Sequence, residues 1–436
     1  MISQGNLTPA QVVQFNYISE HLNTIEQDPA IVATINDLPD ATLNTGKMFF
    51  VTSDSLFYYS DGVTWKYPAV ATTPVVVGGS LWSWGYNYGA LGDGTTIDRS
   101  SPGTTAGGGT DWAQVSAGNY HTAAIKTDGT LWTWGYNGYG QVGDGTTTDR
   151  LSPGTTLGGG TNWKQVSAGK EHSIAAIKTD GTLWTWGYNG YGQLGDDTTI
   201  DRSSPGTTAG GGTTWKQVSA GGYLVAAIKT DGTLWTWGAN WFGQLGDGTL
   251  TNRSSPGTTA GGGTTWSQAA ASPNYIAAVK TDGTLWAWGM NDNGQLGITD
   301  TIDRSSPVEV AGGGTTWSYV NCGWEHTVAL KTDGTLWTWG SNLTGQLGDG
   351  TTTNRNSPVT TVGAGTTWSQ VDGGKYHSVA IKTDGTLWAW GWNTNGELGG
   401  GATTARSSPG TTTGGGTNWS QVSVGQYYTT AIQLIG

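Results

Sequence analysis

The side chains that could do chemistry recur along the chain instead of gathering in one place. His121, His172, His326 and His377 share one position of a repeat, with neighbouring repeats spaced by 50, 52, 51, 51, 51 and 51 residues. Histidines this far apart belong to different repeats, so local spacing does not place them around one metal ion. The pattern predicts a structural or surface role for these histidines and no metal site.

Paired carboxylates recur in the same way. Asp144 and Asp149 flank a Gly-Thr-Thr segment, as do Asp93 and Asp98. The spacing could suit a calcium loop, but it lacks the alternating oxygen ligands and the closing Glu of an EF-hand. Capping of turns by Asp is the better interpretation, with the arginine that follows each pair as its partner. The sequence also contains no nucleophile elbow and no phosphate loop, so we predict a non-enzyme without catalytic residues or cofactors.

The stretch that must position these residues is Leu131–Gly135, Leu-Trp-Thr-Trp-Gly. It returns with its first Leu at residues 81, 183, 234, 285, 336 and 387. Trp132 and Trp134 are two residues apart and share one face of a strand. The strand Ala124–Thr127 precedes it, and Asp128-Gly129 predicts a two-residue hairpin turn with positive φ at both positions.

Two further strands complete each repeat. One begins at Trp112 and its equivalents, and the other opens with a proline such as Pro307, which predicts an edge strand. Seven four-stranded units of this period predict an all-β, seven-bladed propeller over residues 75–436. No Trp strand precedes Leu81, and a surplus one begins at Trp419, so the C-terminal strands are expected to complete the blade that Leu81–Gly85 begins.

The composition restricts the function further. The formal charge is −12 with 11% charged residues, which argues against binding of nucleic acid or an anionic membrane. The single cysteine, Cys322, excludes an internal disulfide. No signal peptide and no membrane-spanning apolar run are visible, so synthesis in a cytoplasm is expected.

Residues 1–70 differ from the repeats and are predicted to be a separate module. Thr8-Pro9-Ala10-Gln11 indicates a helix start, followed by one apolar stripe. That stripe either packs on its own domain or forms an oligomerisation or docking seam: Phe15, Ile18, Leu22 and Ile25. A Gly-x-x-Phe-Phe-Val-Thr strand at 46–52, then Leu-x-Tyr-Tyr, Asp-Gly and Trp65, predicts a hairpin. This segment resembles a β-module of bacteriophage tail-fibre and other virion proteins. The resemblance implies attachment to other virion proteins through residues 1–70.

The repeats resemble the regulator-of-chromosome-condensation propeller family. The resemblance rests on Leu131-Trp132-x-Trp134-Gly135, Asn137, Gly140-Gln141-x-Gly143 and Gly118-x-x-His121-Thr122. Members of that family include an exchange factor, a plant ultraviolet-B receptor and bacterial β-lactamase inhibitors, so it implies the fold and not one function. The acidic charge argues against an exchange factor. The receptor-like Gly323-Trp324-Glu325-His326-Thr327 occurs only once, which argues against a photoreceptor.

The loops after the Ser-Ala-Gly segments differ most between otherwise similar repeats. They fall at equivalent blade positions, so they are expected to lie on one face, and they are rich in aromatic side chains suited to binding. A second variable set, including Tyr136 and Tyr139, follows the Trp-Gly strands. Drift on a solvent surface is the alternative explanation of both sets. The candidate binding residues are Tyr120, His121, Tyr223, Tyr275, Trp324, Glu325, Tyr376, His377, Tyr427 and Tyr428.

These observations lead to one hypothesis and one alternative. The hypothesis is a bacteriophage virion protein, located in the virion as a tail fibre, spike or capsid decoration. Its propeller would bind a host cell-surface protein or glycan, and the chain could form a homo-oligomer. The alternative is a free bacterial protein-binding propeller of the enzyme-inhibitor type.

Overall fold

The structure is a computed structural model that divides the chain into two compact units, Met1–Val76 and Val77–Gly436. In the second unit it describes residues 78–435 except 262, 313, 364 and 414–415. In the first unit it describes the backbone of four strands: β1 (Ala30–Val32), β2 (Met48–Val51), β3 (Leu56–Ser60) and β4 (Trp65–Lys66).

The four N-terminal strands form one small sheet. Strands β2 and β3 are antiparallel with Phe49 opposite Tyr58, whereas the hairpin turn that the sequence predicts, Asp61-Gly62, falls between β3 and β4. Strand β4 follows antiparallel to β3, and β1 adds to β2 in parallel, a pairing that the sequence did not indicate. The predicted helix and its stripe of Phe15, Ile18, Leu22 and Ile25 lie outside the described residues.

The second unit consists of seven groups of four antiparallel strands, here called blades 1 to 7, and the first two groups are joined into one eight-stranded sheet by the pairing of Gly79 with Trp112. The innermost strands are β7 (Trp112–Ala117), β11 (Trp163–Ala168), β15 (Trp215–Ala220), β19 (Trp266–Ala271), β23 (Trp317–Cys322), β27 (Trp368–Gly373) and β31 (Trp419–Val424). The second strands are β8 (His121–Lys126), β12 (Ser173–Lys178), β16 (Leu224–Lys229), β20 (Tyr275–Lys280), β24 (His326–Lys331), β28 (His377–Lys382) and β32 (Tyr428–Leu434).

The outer half of each blade contains the Trp-Gly strand and the edge strand. The third strands are β5 (Gly79–Gly85), β9 (Leu131–Gly135), β13 (Leu183–Gly187), β17 (Leu234–Gly238), β21 (Leu285–Gly289), β25 (Leu336–Gly340) and β29 (Leu387–Gly391). The outermost strands are β6 (Arg99–Thr104), β10 (Arg150–Thr155), β14 (Arg202–Thr207), β18 (Arg253–Thr258), β22 (Arg304–Glu309), β26 (Arg355–Thr360) and β30 (Arg406–Thr411). The edge strand therefore begins at an arginine, three residues before the proline expected to open it.

Blade 1 is built from both ends of the repeat region. Its inner strands β31 and β32 come from the C-terminus, and its outer strands β5 and β6 come from the start of the repeats. Strand β32 pairs with β5 over its whole length, from Tyr428 opposite Gly85 to Leu434 opposite Gly79. Blades 2 to 7 follow in chain order, from β7–β10 to β27–β30. The first and last repeats are thus joined by backbone hydrogen bonds.

The hairpin turn between the second and third strands differs from the prediction. The Gly129 N–H donates to Lys126 O at 2.9 Å, and the Lys126 N–H donates to Thr130 O at 3.0 Å. Gly129 has a φ of 79°, whereas Asp128 is not among the residues with positive φ. This is a three-residue loop with its one left-handed residue at glycine, not a two-residue turn. A Cβ atom on Gly129 would lie 2.2 Å from Thr161 O, so glycine is required there.

Tryptophans fill the space between the blades. In blade 2 the Trp112 ring meets the rings of Trp132 and Trp134 at 6.0 Å and 6.1 Å, edge to face. Leu131 points to the other side and packs with Trp163 and Trp186 of blade 3. Burial of one Trp side chain removes roughly 200 Å² from water, a gross gain of about 5 kcal/mol. Because each blade buries both faces against its neighbours, the ring supplies the core that a single blade lacks.

Glutamines join neighbouring innermost strands around the axis. Gln165 donates to Val218 O at 3.1 Å and accepts from the Val218 N–H at 3.0 Å. Equivalent bonds link six of the seven innermost strands to the next blade: from Gln114, Gln165, Gln217, Gln268, Gln370 and Gln421. At the seam between blades 6 and 7 the residue is Tyr319, and no described side chain bridges to Val371 in this way. Within the described segments of the chain, no helix has the length and apolarity needed to cross a membrane.

Candidate functional site

The two ends of the strands form two different surfaces. One end contains the loop between the first and second strands, such as 169–172, and the loop between the third and outermost strands, such as 188–201. We call this end the loop face. The opposite end contains the Thr-Asp-Gly-Thr hairpins, such as 179–182, and we call it the turn face.

The loop after each Trp-Gly strand is fixed by a buried asparagine. Asn137 accepts a hydrogen bond from the Val142 N–H at 2.8 Å and donates to Thr146 O and Thr148 O at 3.1 Å and 3.0 Å. Its own N–H donates to Asp149 Oδ1 at 2.8 Å. The loop is therefore held by side chain to backbone bonds, and the tyrosines beside Asn137 are presented from a rigid support.

Ion pairs stabilise the outer part of the same loops, as the sequence predicts. Arg150 pairs with Asp144 at 2.7 Å, and Arg355 pairs with Asp349 at 2.8 Å. Burial opposes ionisation of Asp144, but hydrogen bonds from Thr146 and the charge of Arg150 outweigh it and lower the pKa of Asp144. No described group of three His, Cys, Asp or Glu residues is arranged to hold a metal ion.

Four of the ten predicted binding residues are buried, which is a correction to their expected exposure. His121, Tyr275, His377 and Tyr428 begin second strands and point into the seams between blades. The Tyr275 hydroxyl donates to His326 O and the Tyr428 hydroxyl to His121 O, both at 2.6 Å and both across a blade boundary. The ring of His377 lies 3.1 Å from Thr429 Oγ1 of the next blade. These side chains connect blades and are not accessible to a partner.

The repeat alignment of the histidines also needs correction. His121 and Ser173 are the equivalent first residues of β8 and β12, because they lie opposite Gly135 and Gly187. His172 lies one residue earlier, in the loop, and stacks on Tyr139 at 5.0 Å. Burial lowers the pKa of His121 and His377 to about 3 and that of His172 to about 4, so all three are neutral near pH 7.

The six remaining candidates are partly exposed on the loop face: Tyr120, Tyr223, Trp324, Glu325, Tyr376 and Tyr427. Lys375 joins three of them, with its Nζ 4.1 Å from the centre of the Trp324 ring, 5.2 Å from Tyr376 and 5.5 Å from Tyr427. Glu325 accepts a hydrogen bond from Asn293 Nδ2 at 3.3 Å. The loop face thus brings together residues from several blades.

A row of aromatic rings crosses the loop face, and we call it the aromatic arc. Successive rings lie between 4.9 Å (Tyr139 to Tyr188) and 6.3 Å (Trp392 to Tyr376) apart, and the last ring, Trp241, also lies 4.6 Å from Tyr191. Its members are Trp392, Tyr376, Tyr427, Tyr86, Tyr120, Tyr88, Tyr136, Tyr139, Tyr188, Tyr191, Tyr223 and Trp241. Tyr88 and Trp241 are 48% and 42% exposed, and the other ten rings are partly exposed.

Most of the arc is absent from the predicted list of binding residues. Only Tyr120, Tyr223, Tyr376 and Tyr427 come from the loops after Ser-Ala-Gly. The other members follow the Trp-Gly strands, in the second variable set that the sequence indicates but that was not included among the candidate binding residues. The contacts between the two loop sets could not be deduced from spacing, because they join residues of different blades.

One lysine crosses the axis beneath the loop face. Lys170 of blade 3 donates to Gly373 O of blade 7 at 2.5 Å and to Cys322 O of blade 6. Burial lowers the pKa of Lys170, and the nearby Asp372 opposes that shift. The adjacent Glu171 accepts from Asn119 at 3.4 Å, and burial raises its pKa. These contacts tie opposite sides of the ring together.

Comparison with known proteins identifies the class. Residues 80–431 match the RCC1-like domain family, so the chain belongs to that family. It is 34% identical to the ultraviolet-B receptor UVR8 of Arabidopsis thaliana over 301 residues, which cover 68% of each chain. It is 35% identical to the human probable E3 ubiquitin-protein ligase HERC3 over 43% of this chain, but spans only 18% of that protein.

Solved structures agree on the fold. Human WBSCR16 superposes with a TM-score of 0.73 at 22% identity, over 82% of this chain and 99% of that one. Yeast RCC1 (Prp20), in a structure with Kap60, gives a TM-score of 0.72 at 18% identity, over 84% and 92% of the two chains.

These relatives correct the predicted function. They are cellular proteins of a plant, human and yeast, and they do not support a bacteriophage virion protein or a location in the virion. The prediction was wrong because it relied on a short N-terminal likeness, whereas the family match covers the repeats. No comparison supports the tail-fibre-like module. The alternative of a free bacterial inhibitor is likewise not supported.

Proposed function

We propose that this propeller is a protein-binding module that engages its partner through the loop face. The observation that carries the proposal is the aromatic arc, a row of partly exposed Tyr and Trp rings mounted on hydrogen-bonded loops. Tyr and Trp are enriched among the residues that dominate binding energy, because they offer large contact area with few rotatable bonds. Loops already held in place lose little further entropy on binding.

The described part of the turn face has no comparable row of free rings. In blade 3 Asp180 accepts from the Thr182 N–H and hydroxyl, and Trp184 Nε1 donates to Thr182 Oγ1 at 2.9 Å. Lys178 covers the same Trp184 ring at 4.2 Å. The same contacts recur in blades 2 to 7, so each Trp ring of the turn face is covered by side chains of its own repeat.

The aromatic arc does not continue around the whole ring of blades, so the loop face is not symmetric about the propeller axis. Blade 5 carries Met290 and Asn293, and blade 6 carries Ser341 and Thr344, at positions where blades 2 and 3 carry tyrosines. The rings therefore follow only part of the circle, and the loop face does not repeat around the axis. A partner that contacts the rings can be held in one orientation, which suits an irregular protein surface.

The relatives support a binding role. Yeast RCC1 has been crystallised bound to another protein, Kap60. In this proposal the contacts to a partner come from the six partly exposed candidates together with Tyr88, Tyr191 and Trp241. The buried candidates connect neighbouring blades and so support the loops that carry these contact residues: His121, Tyr275, His377 and Tyr428.

The test is comparative cross-linking and capture from cells that produce the protein. The full chain, a Tyr191→Ala/Trp241→Ala variant and a turn-face Asp180→Asn/Asp231→Asn variant are used as baits at equal folded concentration. We expect a partner that is recovered with the full chain and the turn-face variant and is lost with the aromatic variant. A partner retained by the aromatic variant and lost by the turn-face variant would contradict the proposal.

A further inference from the structure

Charge is distributed unequally between the two faces of the propeller. In residues 78–436, the side chains at the turn-face ends of the strands include eight Asp or Glu and eight Lys or Arg. Those at the loop-face ends include sixteen Asp or Glu and nine Lys or Arg. With histidine neutral, the turn face is formally neutral and the loop-face ends formally carry seven negative charges, although three of their carboxyls, Glu171, Asp372 and Glu397, are buried. The acidity of this unit is therefore located on the loop face.

Most arginines of the loop face are paired within their own loops. Six of the seven pair with a carboxylate there, as Arg99 does with Asp93 at 2.9 Å, and Arg406 makes no such pair within the described residues. A second carboxylate then remains beside the tyrosines. Asp98, Asp149 and Asp201 are exposed, and each uses Oδ1 to accept the N–H of the asparagine that follows an arc tyrosine, at 2.7–2.8 Å.

The lysines of the loop face are already engaged within the protein. Lys170 is bonded to two carbonyl oxygens across the axis. Lys375 lies over the Trp324 ring at 4.1 Å and near two arc tyrosines. The contacts of Lys375 show how this surface accommodates a cation, on the face of an aromatic ring, where the ring quadrupole attracts it.

We infer that the occupant of the aromatic arc is a cationic polypeptide segment, rich in arginine or lysine. Its aliphatic stems and guanidinium groups would stack on the Tyr and Trp rings, and its charges would meet Asp98, Asp149 and Asp201. A nucleic acid or an acidic peptide would instead be repelled by the same carboxylates. This inference rests on the proposed function, because it describes the partner of the same surface.

The chain itself supplies a safe substitution for the test. Blades 4 and 6 carry Asn252 and Asn354 where blade 2 carries Asp149, and both asparagines accept the same backbone N–H, at 2.9 Å and 2.8 Å. Asp→Asn at 98, 149 and 201 therefore removes three charges and keeps the loop bonds. Asp→Asn at the turn-face positions 180, 231 and 282 is the matched control, since it removes the same net charge.

Fluorescence anisotropy of labelled deca-arginine with the full chain at about 0.1 M salt makes the measurement. We expect the loop-face triple variant to bind at least fivefold more weakly than the parent, and the turn-face triple variant less than twofold more weakly. Tyr191→Ala/Trp241→Ala should also lose at least fivefold, although its net charge is unchanged. Thermal melts establish that each variant is folded.

Three results would overturn the inference. If both triple variants weaken binding equally, the peptide responds to net charge and not to this surface. Deca-glutamine and deca-glutamate are measured in parallel. If either binds as tightly as deca-arginine and loses binding with the aromatic variant, the partner chemistry is wrong while the loop face remains a binding surface. If no peptide responds to the aromatic variant, the inference fails together with the proposed function.

Discussion

The loop face and the turn face are made by the same repeats, yet they differ in every property that matters for recognition. On the turn face, Asp, Thr, Trp and Lys satisfy one another within each blade, as Asp128, Thr130, Trp132 and Lys126 do in blade 2. On the loop face the repeats diverge, and rings from neighbouring blades meet in the aromatic arc. Uniform, internally satisfied residues suit stability, whereas partly exposed and irregular ones suit binding.

The difference between the two faces predicts which substitutions should change stability and which should change binding. The seams and the turn face should govern folding, because their contacts are buried or repeated. The loop face should govern binding, because its rings can be truncated with little loss of packing. Changes in the seams test the stability half of this division, and the largest effect is expected where the ring closes.

Removal of Trp419–Gly436 should abolish a cooperative thermal transition. These residues provide both inner strands of blade 1, and Trp419, Val422 and Ile432 are buried at its seams. Loss of several such side chains costs more than a typical domain's stability of about 5–15 kcal/mol. Circular dichroism melts make the measurement. A truncated chain that melts like the parent would contradict closure of the ring through β32 and β5.

Acid should destabilise the propeller through its buried histidines. Burial holds the pKa of His121, His326 and His377 at about 3, against an ordinary value of 6.5. The unfolded chain therefore binds more protons than the folded chain between these values, and stability is full above pH 6.5 and falls as the pH drops toward 3. Each histidine contributes up to about 1.4 kcal/mol per pH unit.

Charged groups near these histidines also affect how stability depends on pH. Lys170 faces His326 and His377 and disfavours their protonation, whereas the buried carboxyls of Glu171, Asp372 and Glu397 have raised pKa values and oppose the loss. His326→Leu tests this prediction, because blade 4 already has a leucine, Leu224, at the equivalent first position of its second strand.

The substitution should reduce the difference in the free energy of unfolding between pH 7 and pH 5, measured by denaturant titration. An unchanged difference would show that His326 does not cause it.

Gln165→Ala should cost about 1–3 kcal/mol in the free energy of unfolding. The substitution leaves the Val218 N–H and C=O at the seam without their side-chain partner. Lys164→Ala, next to it and exposed, is the control and should leave the free energy of unfolding nearly unchanged.

Hydrogen exchange in the unsubstituted protein tests the same bridges. The Val371 amide, which has Tyr319 beside it in place of a glutamine, should exchange its hydrogen faster than the Val218 amide. Equal protection would refute the importance of the glutamine bridges.

The sequence predicted the repeats well because their cause is local. The period, the Trp pairs of Trp132 and Trp134, and the Arg150–Asp144 ion pair all follow from spacing within one blade. The turn type was missed because a single glycine, Gly129, supplies the left-handed residue and Asp128 does not. The equivalence of His172 was missed because blade 3 has one additional loop residue.

The candidate site was predicted only in part, for a different reason. That the variable loops lie on one face followed from their equivalent positions in the blades. Residue type alone did not separate Tyr120, which lies on the surface, from Tyr428, which points into a seam. That distinction depends on whether a residue lies in a loop or opens a strand, and one position decides it. The function predicted from the N-terminal likeness was wrong, because a short module says little about a domain of a different family.

Footprinting by hydroxyl radicals tests recognition through the loop face most directly, because it reports both faces in one experiment. The full chain is oxidised with and without saturating deca-arginine, and the modified residues are located by mass spectrometry. We predict that bound deca-arginine protects Tyr88, Tyr191 and Trp241 of the loop face from oxidation. The oxidation of Trp132 and Trp184 of the turn face should be unchanged. Protection of the turn-side tryptophans, with the loop-face rings still open, would contradict recognition through the loop face.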